Sequence, residues 1–390
     1  MTEASTTPAP AKRNSSIEAL RIAAMVGIVA HHYAVHGGVM GVTFDQDAAV
    51  TLSVASAFGK WGVDLFVLVG AYFMVKRPSR GRSLASIYAQ VLPISLLILA
   101  TFLVVAPDTV SGTEIKKSVL PVIFGQYWFV TAYVMLVLIA PYLAMVATGL
   151  TRVQLGRLIA VGVALWSVLN LVDGVWLYVS DLAWFALLFM IASYMRLHPL
   201  PGSRGAWIAA AFGTGVAIPV AMWIATTLRW NATGLPEDLG WTRWLVAGPY
   251  SPLSLAFAVA LLGAVLKSRE RQSRVVNYWA AAAFGVYLIH DNPMVRAWVW
   301  SDLVETPRQA SSDWLLLTAL GTTLVIYVAC SAIIFVLQPV VLRPALRVTT
   351  AIRLRVEARL GSAPDTPGPD TPGPDTPAPG PATGDTPDRD

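Results

Sequence analysis

Residues 17–36 read IEALRIAAMVGIVAHHYAVH. The stretch is long enough to cross a bilayer, which takes roughly 20 mostly apolar residues. Yet it carries Glu18, Arg21, His31, His32 and His36. Ionisable groups are costly in hydrocarbon, so a spanning helix that keeps them turns them toward a protein interior. The stretch does not read as a cleavable leader. It follows a polar segment (1–16), contains an arginine, and runs into His31-His32 rather than a small-residue cleavage site. It reads as the first helix of a membrane bundle.

The rest of the chain repeats the apolar theme. Of 390 residues, 55% are hydrophobic and 13% charged, against about a quarter charged in soluble domains. Nine further windows have the length and composition of spans: about 52–75, 84–106, 126–148, 158–175, 180–195, 205–228, 244–266, 278–299 and 313–338. The fifth and sixth windows, joined by a polar link around Asp173, are short enough to form a tight hairpin or to leave one half-inserted.

Lys and Arg set orientation. With the N-terminus cytoplasmic, the inside segments hold 19 basic residues and the outside segments 7 (Lys60, Lys116, Lys117, Arg229, Arg243, Arg296 and Arg308). The predicted fold is therefore an all-α, polytopic transmembrane bundle of about ten helices with both termini cytoplasmic. Residues 1–16 form a polar leader, 17–340 the transmembrane domain and 341–361 a basic interfacial helix. Residues 362–390 are a Pro/Asp/Thr/Gly-rich tail that cannot bury a core. The net charge of +5 is scattered between apolar runs, which points to topology and excludes a nucleic-acid patch. The single cysteine, Cys330, excludes a disulfide framework and a cysteine-based metal centre; no metal is expected.

The polar residues inside these windows are the candidate site. Arg21 and His32 are eleven apart, three helical turns plus about 20°, so they share a face about 16 Å apart along the axis. Glu18 is placed to pair with Arg21. His36 lies one turn beyond His32 on that face, while His31 points elsewhere. Counted at about 1.5 Å per residue, His32, Asp64 of the second window and His290 of the ninth reach one depth past the midplane. Taken singly, His290 is equally readable as a structural hydrogen-bond partner between helices, and Asp64 reads more readily as a group that caps or orients a neighbour than as direct chemistry. A histidine is the usual general base for a hydroxyl, and Asp64, Asp291 or Glu18 could orient it. The loop Lys76-Arg77-Pro78-Ser79-Arg80-Gly81-Arg82 would suit a phosphorylated ligand through Arg77, Arg80 and Arg82, or serve only as a positive-inside signal.

Four segments in order carry a resemblance: Arg21-x10-His32; Gly62-x-Asp64-x-Phe66 with Gly70; Arg77-x-x-Arg80; and Tyr287-Leu288-Ile289-His290. Over residues 13–340 the chain resembles the acyltransferase 3 family of membrane acyltransferases, especially members tied to bacterial surface-polysaccharide modification. The resemblance implies that an acyl group, commonly acetyl, passes from cytoplasmic acyl-CoA to a hydroxyl on a carbohydrate or glycolipid acceptor. The acyl-CoA is a co-substrate rather than a resident cofactor, and the setting is a bacterial plasma membrane. It implies His32 as general base, with Arg21 supporting the donor or a buried carboxylate and Arg77 and Arg80 on the CoA phosphates. One departure stands out: Val69 occupies the place of the family's serine in Phe-Phe-x-x-Ser-Gly. A transporter or flippase using the Arg–His stripe for protons or ligand is the alternative. A purely structural membrane protein is a third reading, which the depth-matched polar groups oppose.

Overall fold

A computed structural model describes residues 14–37, 45–76, 80–172, 175, 177–233, 248, 250–309 and 312–359. Residues 1–13 of the predicted leader, Asp173, Arg77, residues 360–361 of the predicted interfacial helix and the 362–390 tail lie outside them. Among the described residues the secondary structure is helical throughout, with no strand. The helices are α1 (Ser15–His36), α2 (Gln46–Met74), α3 (Arg80–Val105), α4 (Gly112–Val119), α5 (Trp128–Gly149), α6 (Arg152–Val163) and α7 (Asp181–Leu197). They continue with α8 (Arg204–Thr233), α9 (Pro252–Leu266), α10 (Arg274–His290), α11 (Pro293–Ala297), α12 (Thr306–Gln309), α13 (Leu315–Leu337) and α14 (Arg343–Arg359).

Each of the ten apolar windows overlaps at least one of these helices. Six helical stretches are long and apolar enough to cross a membrane: α2, α3, α5, α6 with its continuation to Leu171, α8, and the run from α13 into α14. The other four fall short for visible reasons. Helix α1 carries two charged residues and three histidines. Helices α7, α9 and α10 have 17, 15 and 17 residues. The ninth window was expected to be one helix over 278–299. It breaks instead at Asp291-Asn292, where Asn292 caps α11 and Pro293 occupies its first turn. Proline lacks an N–H and disfavours helix in the residue before it, so the break is local chemistry.

Helix α1 is the central post. It packs on α2, α9, α10 and α13, which lets it bury Glu18 and His32 away from lipid. In hydrocarbon, helices associate through close packing rather than through the hydrophobic effect, and small residues permit the approach. A Cβ built on Gly62 would lie 2.6 Å from the Ala24 carbonyl oxygen, and one on Gly27 3.0 Å from that of Phe58. Around this pair, α7, α8 and α9 pack on α2, and α5 on α7.

One end of the bundle gathers the basic segments. The Ser15 N–H donates to the Arg271 carbonyl (2.8 Å) and its hydroxyl to Asn277 Oδ1 (2.9 Å), tying the start of α1 to the start of α10. Helix α14 lies along the start of α3, with the Thr349 hydroxyl donating to the Ala85 carbonyl at 3.0 Å. These are the segments that the loop charges assign to one side.

Gly62→Leu is expected to wedge α1 from α2 at a cost of about 1–3 kcal/mol or more. Gly321→Ala, with open space where its Cβ would go, is expected to be neutral or stabilising by up to about 1 kcal/mol. Thermal melts of detergent-purified protein check both. A Gly62→Leu protein as stable as the parent would contradict the close packing.

Candidate active site

The break after α10 exposes backbone polar groups that lipid could not satisfy. Asn292 N–H turns back to the Ile289 carbonyl at 3.3 Å. That leaves the Leu288 carbonyl without its usual helical donor. The Tyr127 hydroxyl, at the head of α5, donates to it at 3.0 Å and accepts from Asn292 Nδ2 at 2.9 Å. Asn292 Oδ1 accepts from the Met294 N–H at 3.1 Å. The unwound step is thus stitched to α5, and it holds His290 and Asp291 at a fixed place, both buried.

His290 faces His32. The His290 Nδ1 sits 2.6 Å from the Val286 carbonyl oxygen, an acceptor only, so Nδ1 carries the proton. Neutral His290 then offers Nε2 as an acceptor. His32 Nδ1, 3.0 Å away, must be the donor. That tautomer leaves the His32 Nε2 lone pair available as a base. Asp291 Oδ1 lies 3.7 Å from His32 Nδ1, near enough to steady an imidazolium, and accepts from Arg296 of α11 at 3.3 Å. The sequence names Asp291 as one of three carboxylates able to orient the histidine; in the structure it is the one beside it.

These groups border a cavity of about 250 Å³, walled by His31, His32, His36, Lys60, Asp291 and Arg296 and by apolar and aromatic side chains including Phe66, Trp128, Phe129, Phe284 and Tyr287. The ligand atoms of His32, His36 and Asp291 all lie within 4.8 Å of one another. Three such groups could hold a metal ion, and Arg296 shares the same carboxylate.

A second cavity, about 470 Å³, lies toward the basic end. Glu18, Arg21, Ser86, Gln90, Gln338 and Arg343 supply its polar lining. Arg21 donates to both oxygens of the buried Glu18 carboxylate at 3.0 Å. Gly70 lines it too, and a side chain there would collide with the Tyr133 hydroxyl.

An acyltransferase-domain family model matches residues 14–335. The chain belongs to the acyltransferase 3 family. No curated protein and no solved structure matches it. The family match covers both cavities up to the end of α13, leaving Gln338, Leu342, Arg343 and Leu346 of the second cavity beyond its edge.

Within this acyltransferase the sequence-derived candidates separate. His32 and His290 meet. Arg21 shares the stripe of His32 but opens into the other cavity. Asp64 does not join them: its Oδ1 accepts from Trp184 Nε1 of α7 at 2.8 Å, fully buried, on the side of α2 turned from the histidines. His31 Nδ1 donates to the Ser56 carbonyl at 2.5 Å, pinning α1 to α2. Arg80 is exposed with its guanidinium 4.9 Å over the Tyr142 ring, and Arg82 is exposed; neither lines either of these two cavities. Sequence reasoning missed Tyr127, Asn292 and Arg343. The Asn292-Pro293 pair, a turn signal inside an apolar window, marks the first two of these contacts. Pro339 and Pro344 bracket the π-helical step over 338–342 that leads from α13 to Arg343.

Asp64→Asn keeps an oxygen acceptor for Trp184 and is expected to leave stability near the parent's. Asp64→Leu strands the buried indole N–H and is expected to cost about 1–3 kcal/mol. Melting temperature and turnover per folded molecule separate the two roles. Loss of turnover in a stably folded Asp64→Asn protein would place the carboxylate in the chemistry instead.

Proposed function

We propose that this acyltransferase moves an acyl group, acetyl in the first instance, from cytoplasmic acyl-CoA to a hydroxyl of a carbohydrate or glycolipid acceptor. We place it in a bacterial plasma membrane, crossing about ten times with both termini inside. The observation that carries the reading is the hydrogen-bonded chain Val286 carbonyl–His290–His32, whose His32 end borders a cavity together with Asp291 and Arg296. It prepares one imidazole nitrogen to accept a proton and places an anion beside the resulting cation.

In this mechanism His32 Nε2 takes the proton of the acceptor hydroxyl as its oxygen attacks the thioester carbonyl. The new C–O ester bond forms, the C–S bond breaks, and the proton passes from His32 to the departing thiolate, giving free CoA. Asp291 and the hydrogen bond to His290 hold the ring and offset its transient charge. Arg21 and Arg343 in the second cavity, with the basic α3 end, serve the anionic donor. The basic segments around that cavity favour a cytoplasmic donor.

Purified protein in nanodiscs, given radiolabelled acetyl-CoA, is expected to release CoA in the presence of an acceptor and more slowly to water. His32→Ala is expected to lower the rate by about 10²–10⁴-fold with unchanged yield and monodispersity. Undiminished turnover in His32→Ala overturns its role as base. A protein that ignores the donor yet moves a lipid-linked sugar across vesicles would be a transporter.

A further inference from the structure

The two cavities share three wall residues: Phe66 of α2, Phe129 of α5 and Phe284 of α10. On one side stand His32 and Asp291, with His290 hydrogen-bonded to His32; on the other stand Glu18, Arg21 and Arg343. Phe129 is buried and rigidly held. It stacks on Tyr133 (centroids 5.6 Å, planes 16° apart) and meets Phe66, Phe185 and Tyr287 edge-on at 6.0, 5.6 and 5.5 Å. Phe66 and Phe284 are half-buried and complete the partition. Three rings from three different helices therefore stand between a charged vestibule and the histidine chamber.

We infer that this phenylalanine septum is the passage for the acyl end of the donor, and that its bulk restricts transfer to short acyl chains. The inference rests on the acyl-transfer reading above and adds the residues that select the acyl group. Three physical points support it. The groups suited to an anionic carrier and the base suited to the hydroxyl lie in separate cavities, so the reacting carbonyl must cross the shared wall. An apolar ring constriction admits a slender acyl thioester arm while opposing a continuous water column, which guards the thioester from hydrolysis. The histidine chamber, about 250 Å³, is smaller than the roughly 300–1,000 Å³ usual for ligand pockets. It must seat both the acyl carbonyl and the acceptor hydroxyl, which leaves little room for a long chain.

The experiment uses the full chain in nanodiscs with acetyl-, butanoyl- and hexanoyl-CoA, reading release of the CoA thiol. Phe66→Leu, Phe284→Leu and Phe129→Ala are compared with the parent. Trimming the septum is expected to raise the hexanoyl-to-acetyl ratio of kcat/KM at least tenfold in one or more variants. A ratio unchanged in all variants that turn over overturns the inference. A second arm does not depend on turnover or on Phe129→Ala folding. In a Cys330→Ala background, Gln90→Cys reports the vestibule and Val35→Cys the histidine chamber. In oriented vesicles, a charged methanethiosulfonate added at the cytoplasmic face is expected to label Gln90→Cys and spare Val35→Cys. Adding Phe66→Leu or Phe284→Leu is expected to speed labelling of Val35→Cys at least tenfold. Equal labelling of both positions in the parent overturns the septum. If the parent consumes no acyl-CoA, the proposed function fails, while the labelling result still decides whether the septum divides the cavities.

Discussion

The hydrogen bond between His32 and His290 is the contact on which the rest of the site depends. It joins the central helix to α10, which ends at His290, inside the bundle. Each partner constrains the other: the Val286 carbonyl sets the tautomer of His290, and His290 sets that of His32. A buried histidine pair tolerates only a few proton arrangements, because an unmatched donor or acceptor there costs as much as a lost hydrogen bond. The chain satisfies that demand with backbone geometry. The last turn of α10 supplies the acceptor, and the unwound step beyond it supplies Asp291.

That unwound step needs its own support. A membrane interior punishes open backbone groups, so the Leu288 carbonyl and the Asn292 side chain both turn to the Tyr127 hydroxyl. Helix α5 thereby becomes a structural partner of the site although it contributes no ionisable group to it. The same helix places Phe129 between the two cavities, one turn above Tyr133. Positioning of the base and separation of the chambers thus share one scaffold, and a change in the pitch of α5 would be felt in both.

Much was legible in the sequence, for identifiable reasons. Among the described residues, apolar windows mark the long apolar helices, because burial of backbone polar groups in lipid leaves helix as the available form. The shared level of one pair was legible as well. A constant rise per residue carries His32 and His290 to the same level, and they touch. Rotation about the helix axis was not. Asp64 faces Trp184, and it does not share the level of His32: Gly59 meets His31 and Gly62 meets Ala24 and Ile28, so the register of α2 on α1 sets Asp64 about two helical turns away. Arg80 and Arg82 drew notice as a charge cluster, yet the arginines that line the vestibule are Arg21 and Arg343. The second of these comes from a segment more than 300 residues away from the first.

By itself the sequence determined that this is a helical membrane acyltransferase with an arginine and a histidine on one stripe of its first helix. Composition, window length and the order of short motifs are local properties, and they need no knowledge of what packs where. Only the tertiary structure decided that the stripe opens into two cavities rather than one. The wall between them is built from side chains of α2, α5 and α10, and no spacing along α1 encodes what its neighbours insert against it.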